Sequence, residues 1–257
     1  MKPFNLSLVA IYFTILFSCS TVESELIIKH QVTGAIETNC YLIYDSKTME
    51  AALIDVGDAI DTLLQHIEEN SLDIKYILCT HGHIDHLYNV PSVLKIFPEA
   101  KTVIHKLDYD DLFTQGEWVQ ANMDPETLEW MKSDPEISKF FDFDPASLGE
   151  PDIFIEDDQE LPLGNFTIRA IHTPGHSPGS VCYFIDGKLF SGDCLFYRTV
   201  GRTDVQNSSR QDQISSVQRL YRMLPDSTPV YPGHMQFTDI LSEKTLNSRI
   251  KADTVTW

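Results

Sequence analysis

The seven residues from Thr80 to His86, THGHIDH, hold three histidines and one aspartate at close, fixed spacing. In extended backbone the side chains at i and i+2 point the same way, so His81 and His83 can grip one cation together. Asp85 and His86, in the turn expected after them, can face a second cation about 3.5–4 Å away. Neutral imidazole and carboxylate are ligands that a zinc ion of borderline softness accepts. With this composition the pattern H-x-H-x-D-H arises by chance on the order of once per thousand such chains. Burying four polar groups together for packing alone would be costly. Metal binding is the chemistry the pattern supports.

Three more residues stand at the ends of apolar runs. His176 lies in TPGHSPGS, Asp193 closes SGD, and His234 sits in YPGH. Singly, each also suits a turn histidine, a capping aspartate or a surface histidine. Their shared placement, with Gly175 and Gly233 permitting close backbone approach, favours a common role. The set THGHIDH, TPGHSPGS, SGDCLF, VGRTD and VYPGH, spread over residues 25–245, resembles the metallo-β-lactamase superfamily, and within it the glyoxalase II-like branch. The resemblance implies an α/β fold, a four-layer αββα sandwich with the site at one edge between two sheets. It implies a first metal on His81, His83 and His176, a second on Asp85, His86 and His234, and Asp193 bridging both. Two zinc ions are the expected cofactors; iron or a mixed pair suits the same ligands. One departure is Asp193, which stands where the best-known β-lactamases present a cysteine. Another is that only 23 residues follow His234. The short branch without a glutathione-binding helical domain is therefore the closer expected match.

Two Lewis-acidic ions sharing a water lower its pKa toward neutrality. A departing thiolate, with a pKa near 8.5, needs little help from an acid, whereas a departing amine needs a donor, and Asp85 is the candidate. Asp85 and Asp193 are thus the expected catalytic carboxylates. Hydrolysis of a small-molecule thioester, of the hydroxyacylglutathione kind, needs the fewest additions. The rivals are a persulfide dioxygenase with a single iron, a lactone or β-lactam hydrolase, and a binding protein that keeps the fold without the chemistry.

These residues need strands to carry them. Apolar runs predict strands over 25–32, 39–45, 50–56, 74–80, 102–105, 165–171, 180–186, 188–193 and 228–231. Helices are predicted from Asp58 to Asn70, near 87–96, over 211–223 and near 238–250, with Asp58 as a cap. Between them, 106–150 is an acidic insertion with helical pieces around 108–118 and 125–132, cut by Pro135 and Pro145 and rich in aromatics. It reads either as a lid over the site or as an excursion that packs its aromatics on the body.

The net charge of −19 is uneven: residues 106–160 hold 17 acidic side chains against Lys106, Lys132 and Lys139. Such a surface repels phosphate backbones and excludes a nucleic-acid partner. Residues 1–24 read as a leader and tether. Lys2 precedes an apolar run, Leu6 to Phe17, too short to span a bilayer but suited to a signal peptide. Leu16-Phe17-Ser18-Cys19 looks like a lipobox, so the expected product is exported, either membrane-anchored through Cys19 or released after ordinary cleavage. Residues 25–257 form one catalytic domain. Cys40, Cys79, Cys182 and Cys194 include no C-x-x-C pair and read as free thiols. His30, His66, His105 and His172 read as structural. Arg202 in VGRTD could meet a substrate carboxylate or buttress its loop through Asp204. The oligomeric state is open.

Overall fold

The computed structural model describes residues 23–257; the leader and Cys19 lie outside them. Among the described residues twelve strands form two six-stranded sheets. The first holds β1 (Leu26–Thr33), β2 (Thr38–Asp45), β3 (Glu50–Ile54), β4 (Asp73–Leu78), β5 (Lys101–Ile104) and β6 (Ile153–Phe154), side by side in that order. The second holds β7 (Glu160–Leu163), β8 (Phe166–His172), β9 (Val181–Ile185), β10 (Lys188–Gly192), β11 (Pro229–Pro232) and β12 (Thr238–Asp239). The chain therefore fills one sheet before it starts the other. Each sheet turns from antiparallel to parallel pairing, at β3–β4 and at β10–β11.

Alternation explains why strands such as β2 are buried throughout. Cys40, Leu42 and Tyr44 point to the helices on one side, while Tyr41 and Ile43 point to the opposite sheet. On the first sheet's outer face pack α1 (Asp61–Asn70), α2 (Ile84–Leu87), α3 (Val90–Ile96) and the first turns of α4 (Lys106–Asn122), through Leu63, Ile67, Leu87, Val90, Val93 and Leu112. The inner core joins Ile54, Leu78 and Val103 to Ile168, Tyr183 and Phe190. The acidic insertion continues as α5 (Pro125–Ser133), α6 (Pro135–Ser138) and two 3-10 turns at Lys139–Asp142 and Pro145–Leu148. On the second sheet's outer face lie α7 (Arg210–Met223) and α8 (Ile240–Leu246), through Val217, Leu220, Tyr221 and Ile240. This is the αββα order the motifs imply.

Several boundaries differ from the sequence expectation. Asp58 does not cap α1; its carboxylate pairs with the Lys139 ammonium at 2.6 Å, and the helix begins three residues later. The helix expected near 87–96 begins at Val90, behind the separate one-turn α2 that ends at Leu87. The last helix is shorter than 238–250, starting from an Asp239 cap on the Ser242 amide and stopping at Asn247. Strands β6, β7 and β12 were not predicted. Cys40, Cys79, Cys182 and Cys194 are all buried and free. Among the described residues no helix is long and apolar enough to cross a membrane.

Candidate metal centre

All seven candidate ligands sit at one rim of the sandwich, just past strand ends. β4 delivers His81 and His83. His83 keeps extended backbone (φ −74°, ψ 140°) and leads into α2, whose first turn carries Asp85 and His86. The expected turn is thus a short helix. The β8–β9 loop supplies His176, the end of β10 supplies Asp193, and the end of β11 supplies His234.

Their donor atoms converge. His83 Nδ1 lies 3.1 Å from His81 Nε2 and 2.8 Å from His176 Nε2. His86 Nε2 lies 3.1 Å from His234 Nε2 and 3.4 Å from Asp85 Oδ2. Asp193 reaches both groups, with Oδ1 3.4 Å from His86 Nε2 and Oδ2 3.4 Å from His176 Nε2. These distances yield the sets His81–His83–His176, Asp85–His86–His234 and a central His81–His86–Asp193.

Hydrogen bonds on the far side of each ring assign the tautomers. His86 Nδ1 donates to Asp55 Oδ2 (3.0 Å), His176 Nδ1 to the Arg202 carbonyl (2.8 Å) and His234 Nδ1 to the Glu37 carbonyl (3.3 Å). Thr80 Oγ1 donates to Asp55 Oδ2 (2.7 Å), so it accepts from His81 Nδ1 at 3.1 Å. In their neutral form these four rings therefore aim bare Nε2 lone pairs inward. Two lone pairs 3.1 Å apart cannot satisfy each other, but two tetrahedral ligands at the usual zinc–nitrogen distance stand about 3.3 Å apart. Asp193 Oδ1 is buried with no hydrogen-bond partner. An orphaned carboxylate oxygen among bare imidazole nitrogens fits a cation.

The electrostatics divide the cluster. Burial, reinforced by neighbouring imidazoles, pushes His83 down to about 3 and His176 to about 4, and lowers His81 as well, which keeps these rings neutral. Burial also works against the charged form of His86, but the carboxylates of Asp85, Asp193 and Asp55 overcome it and push the ring up to about 10, so positive charge is favoured at this position and a cation there would replace the Nε2 proton. Asp85, despite its burial, is held well below the usual carboxylate range by His86 and His234.

Close approach dictates the glycine beside His234. A Cβ on Gly233 would stand 2.3 Å from Asp193 Oδ1 and 2.8 Å from the His86 ring, so any side chain there would displace the centre. Sequence reasoning missed Asp55, which orients His86 directly and His81 through Thr80. It also missed Asp108, in the first turn of α4, whose Oδ2 accepts from the Gly82 amide (2.8 Å) and the Ser177 hydroxyl (2.6 Å) and whose Oδ1 accepts from the Gly179 amide. The four histidines read as structural stay outside the cluster. His172 Nε2 donates to the Pro178 carbonyl at 2.9 Å and its ring stacks on His105. Arg202 holds Asp204 through two hydrogen bonds, of 2.6 and 3.1 Å.

A cavity of about 900 Å³ opens beside the cluster, touched by His83, Asp85, His176, Asp193 and His234. The acidic insertion walls it with Phe113, Trp118, Phe140, Phe141 and Phe143.

An αββα sandwich with a histidine–aspartate cluster at the rim between its sheets defines a class of metal-binding proteins. The sequence matches the family model described as the metallo-beta-lactamase superfamily over residues 33–234, and the chain belongs to that superfamily. It is 31% identical over 216 residues to hydroxyacylglutathione hydrolase GloC of Haemophilus influenzae, covering 83% of this chain and 92% of that one. The crystal structure of BLEG-1, a B3 metallo-β-lactamase, matches with a TM-score of 0.67 and 30% identity over 86% of this chain and 98% of that one. TTHA1623 in a di-iron-bound form matches with a TM-score of 0.67 and 27% identity, over the same shares. Members of the superfamily are mostly metal-dependent hydrolases, typically of zinc or iron.

Proposed function

We propose that the protein is a dinuclear zinc hydrolase of thioesters, in the glyoxalase II-like branch. The observation that carries this reading is the inward set of bare Nε2 atoms around the orphaned Asp193 Oδ1. His81, His83 and His176 would hold one ion, Asp85, His86 and His234 the other, and Asp193 both. Bound there, zinc supplies Lewis acidity that activates water and polarises a carbonyl.

The chain's own residues account for the rest. Asp55 fixes the His86 and His81 rings, and the carbonyls of Arg202 and Glu37 fix His176 and His234, so the ligands need no reorganisation. Thr38 Oγ1 donates to Asp85 Oδ2 at 3.2 Å and holds that carboxylate at the cavity floor. Among the described residues lining the cavity there is no lysine, no tyrosine and no histidine outside the cluster. An amine leaving group would find no proton donor there beyond carboxylates; a thiolate needs none at neutral pH. The 31% identity to a hydroxyacylglutathione hydrolase supports the same choice. Residues 1–24 would export the enzyme.

The test is thiol release from a thioester by zinc-loaded protein, run beside a lactone and a β-lactam and paired with metal analysis. Two zinc ions and preferential thioester cleavage are expected. One iron with oxygen uptake, or a preferred lactone or lactam, overturns the proposal.

A further inference from the structure

We infer that the cavity beside the ligand cluster is an acyl-chain pocket, and that the substrate is a thioester of a long apolar acid whose thiol carries no carboxylate. This rests on the thioester reading above and names the substrate class. In the reaction water adds to the carbonyl carbon, the C–S bond breaks, and the products are the carboxylic acid and the thiol, with no change of oxidation state.

The size of the cavity is the first argument. About 900 Å³ stands near the top of the range for small-molecule sites, roughly 300–1,000 Å³, and far exceeds what a short hydroxyacyl group fills. Its wall chemistry is the second. Leu112, Phe113, Val119, Met123, Phe140 and Phe143 present aliphatic and aromatic surface, with Met123 adding a side chain that adapts to irregular contents.

Charge is the third. Beyond the ligands, Glu37 and Glu117 reach the cavity, and among the described lining residues Arg202 is the single cation, its guanidinium already committed to Asp204. Glutathione carries two carboxylates beside its single ammonium, and those carboxylates would meet like charge and no uncommitted cation among the described lining residues. An uncharged thiol meets no such barrier.

Gly116 supplies the fourth. It lies inside the 17-residue helix α4, where glycine is a much weaker helix former than alanine. It lines the cavity, and a Cβ added to it would meet nothing within 4 Å. The backbone needs no glycine there, since its φ is ordinary, and a side chain at 116 would project into the open space of the cavity and shorten it. The wall is also held in register with the ligands. Gln115 Nε2 donates to the Gly82 carbonyl at 3.2 Å, and Asp108 accepts from the Gly82 amide, so α4 grips the loop between His81 and His83 from both sides.

The experiment uses the zinc-loaded full chain and N-acetylcysteamine thioesters from acetyl to dodecanoyl, with decanoyl- and lactoylglutathione as charged counterparts. kcat/KM should rise at least about tenfold from butyryl to decanoyl, since each further buried methylene adds favourable transfer from water. It should fall at least about tenfold when glutathione replaces the neutral thiol on the decanoyl group. Gly116→Leu, and less strongly Gly116→Ala, should move the optimum to shorter chains. A flat or falling chain-length series, or a preference for lactoylglutathione, overturns the inference while leaving the thioesterase reading intact. Calorimetric binding of the uncleavable S-decyl and S-ethyl thioethers of N-acetylcysteamine separates the two. If no thioester is cleaved the thioesterase reading fails, and the pocket stands only if the decyl compound binds at least about tenfold tighter than the ethyl one.

Discussion

Asp55 Oδ2 lies 3.0 Å from His86 Nδ1, with both side chains buried, and the same carboxylate takes the amide and hydroxyl of Thr80. One aspartate at the end of β3 thereby orients two ligand rings. Asp55→Asn puts an amide NH₂ against one of these donors. Metal affinity should fall about 10–100-fold, as removal of such a partner typically does. Competition with a chromogenic chelator measures it, and unchanged affinity would show that the rings hold their orientation unaided.

His83 Nδ1 stands between His81 and His176, so His83→Ala should abolish metal at the first site and activity with it. His172→Ala removes only a bond to the Pro178 carbonyl and a ring stack, and should retain full metal content. Metal analysis of the two purified variants decides between them.

Asp108 is pushed up to about 6 by burial against the pull of its Ser177, Gly179 and Gly82 donors, and it is still ionised at neutral pH. Asp108→Asn turns one acceptor into a donor facing an N–H or hydroxyl. A loss of about 1–3 kcal/mol in stability is expected, together with weaker metal binding, because Gly82 and Ser177 flank three ligands. Denaturant unfolding gives the first number and chelator competition the second.

His105 Nδ1 accepts from the Leu107 amide and caps α4, and its ring lies 4.4 Å from that of His172. Burial and His172 push His105 down to about 4. A histidine depressed from the ordinary ~6.5 contributes stability that is present above that pH and lost as the pH falls toward 4. Protonation also turns the cap into a donor. Asp157 and Arg219, which pair beside His172, leave this sign unchanged. The melting temperature should therefore drop on acidification through this window, and His105→Asn, which keeps a capping acceptor, should flatten that drop. An identical slope in the variant would assign the acid sensitivity elsewhere.

The convergence of the seven candidate ligands could be read from the sequence because each follows an apolar run and carries a side chain that water would otherwise claim. The alternating strands of both sheets were legible for the same reason. Asp55 was not, since an aspartate ending a strand resembles any turn aspartate until the His86 ring arrives from 31 residues away. Strand β7 carries Pro162, which suits only an edge strand, the place it takes in the second sheet. Asp58 has every local mark of a helix cap, but Lys139 from the distant insertion claims it. Pairings made across the fold leave little trace in local sequence.

The ligands of each proposed ion come from both sheets, His81, His83, Asp85 and His86 from the first and His176, Asp193 and His234 from the second. Loaded metal would then rivet two sheets drawn from successive halves of the chain, so any force that parts the sandwich must also strip its ions. Scarcity of metal would cost the cell folded protein as well as turnover, because binding free energy and folding free energy become one quantity.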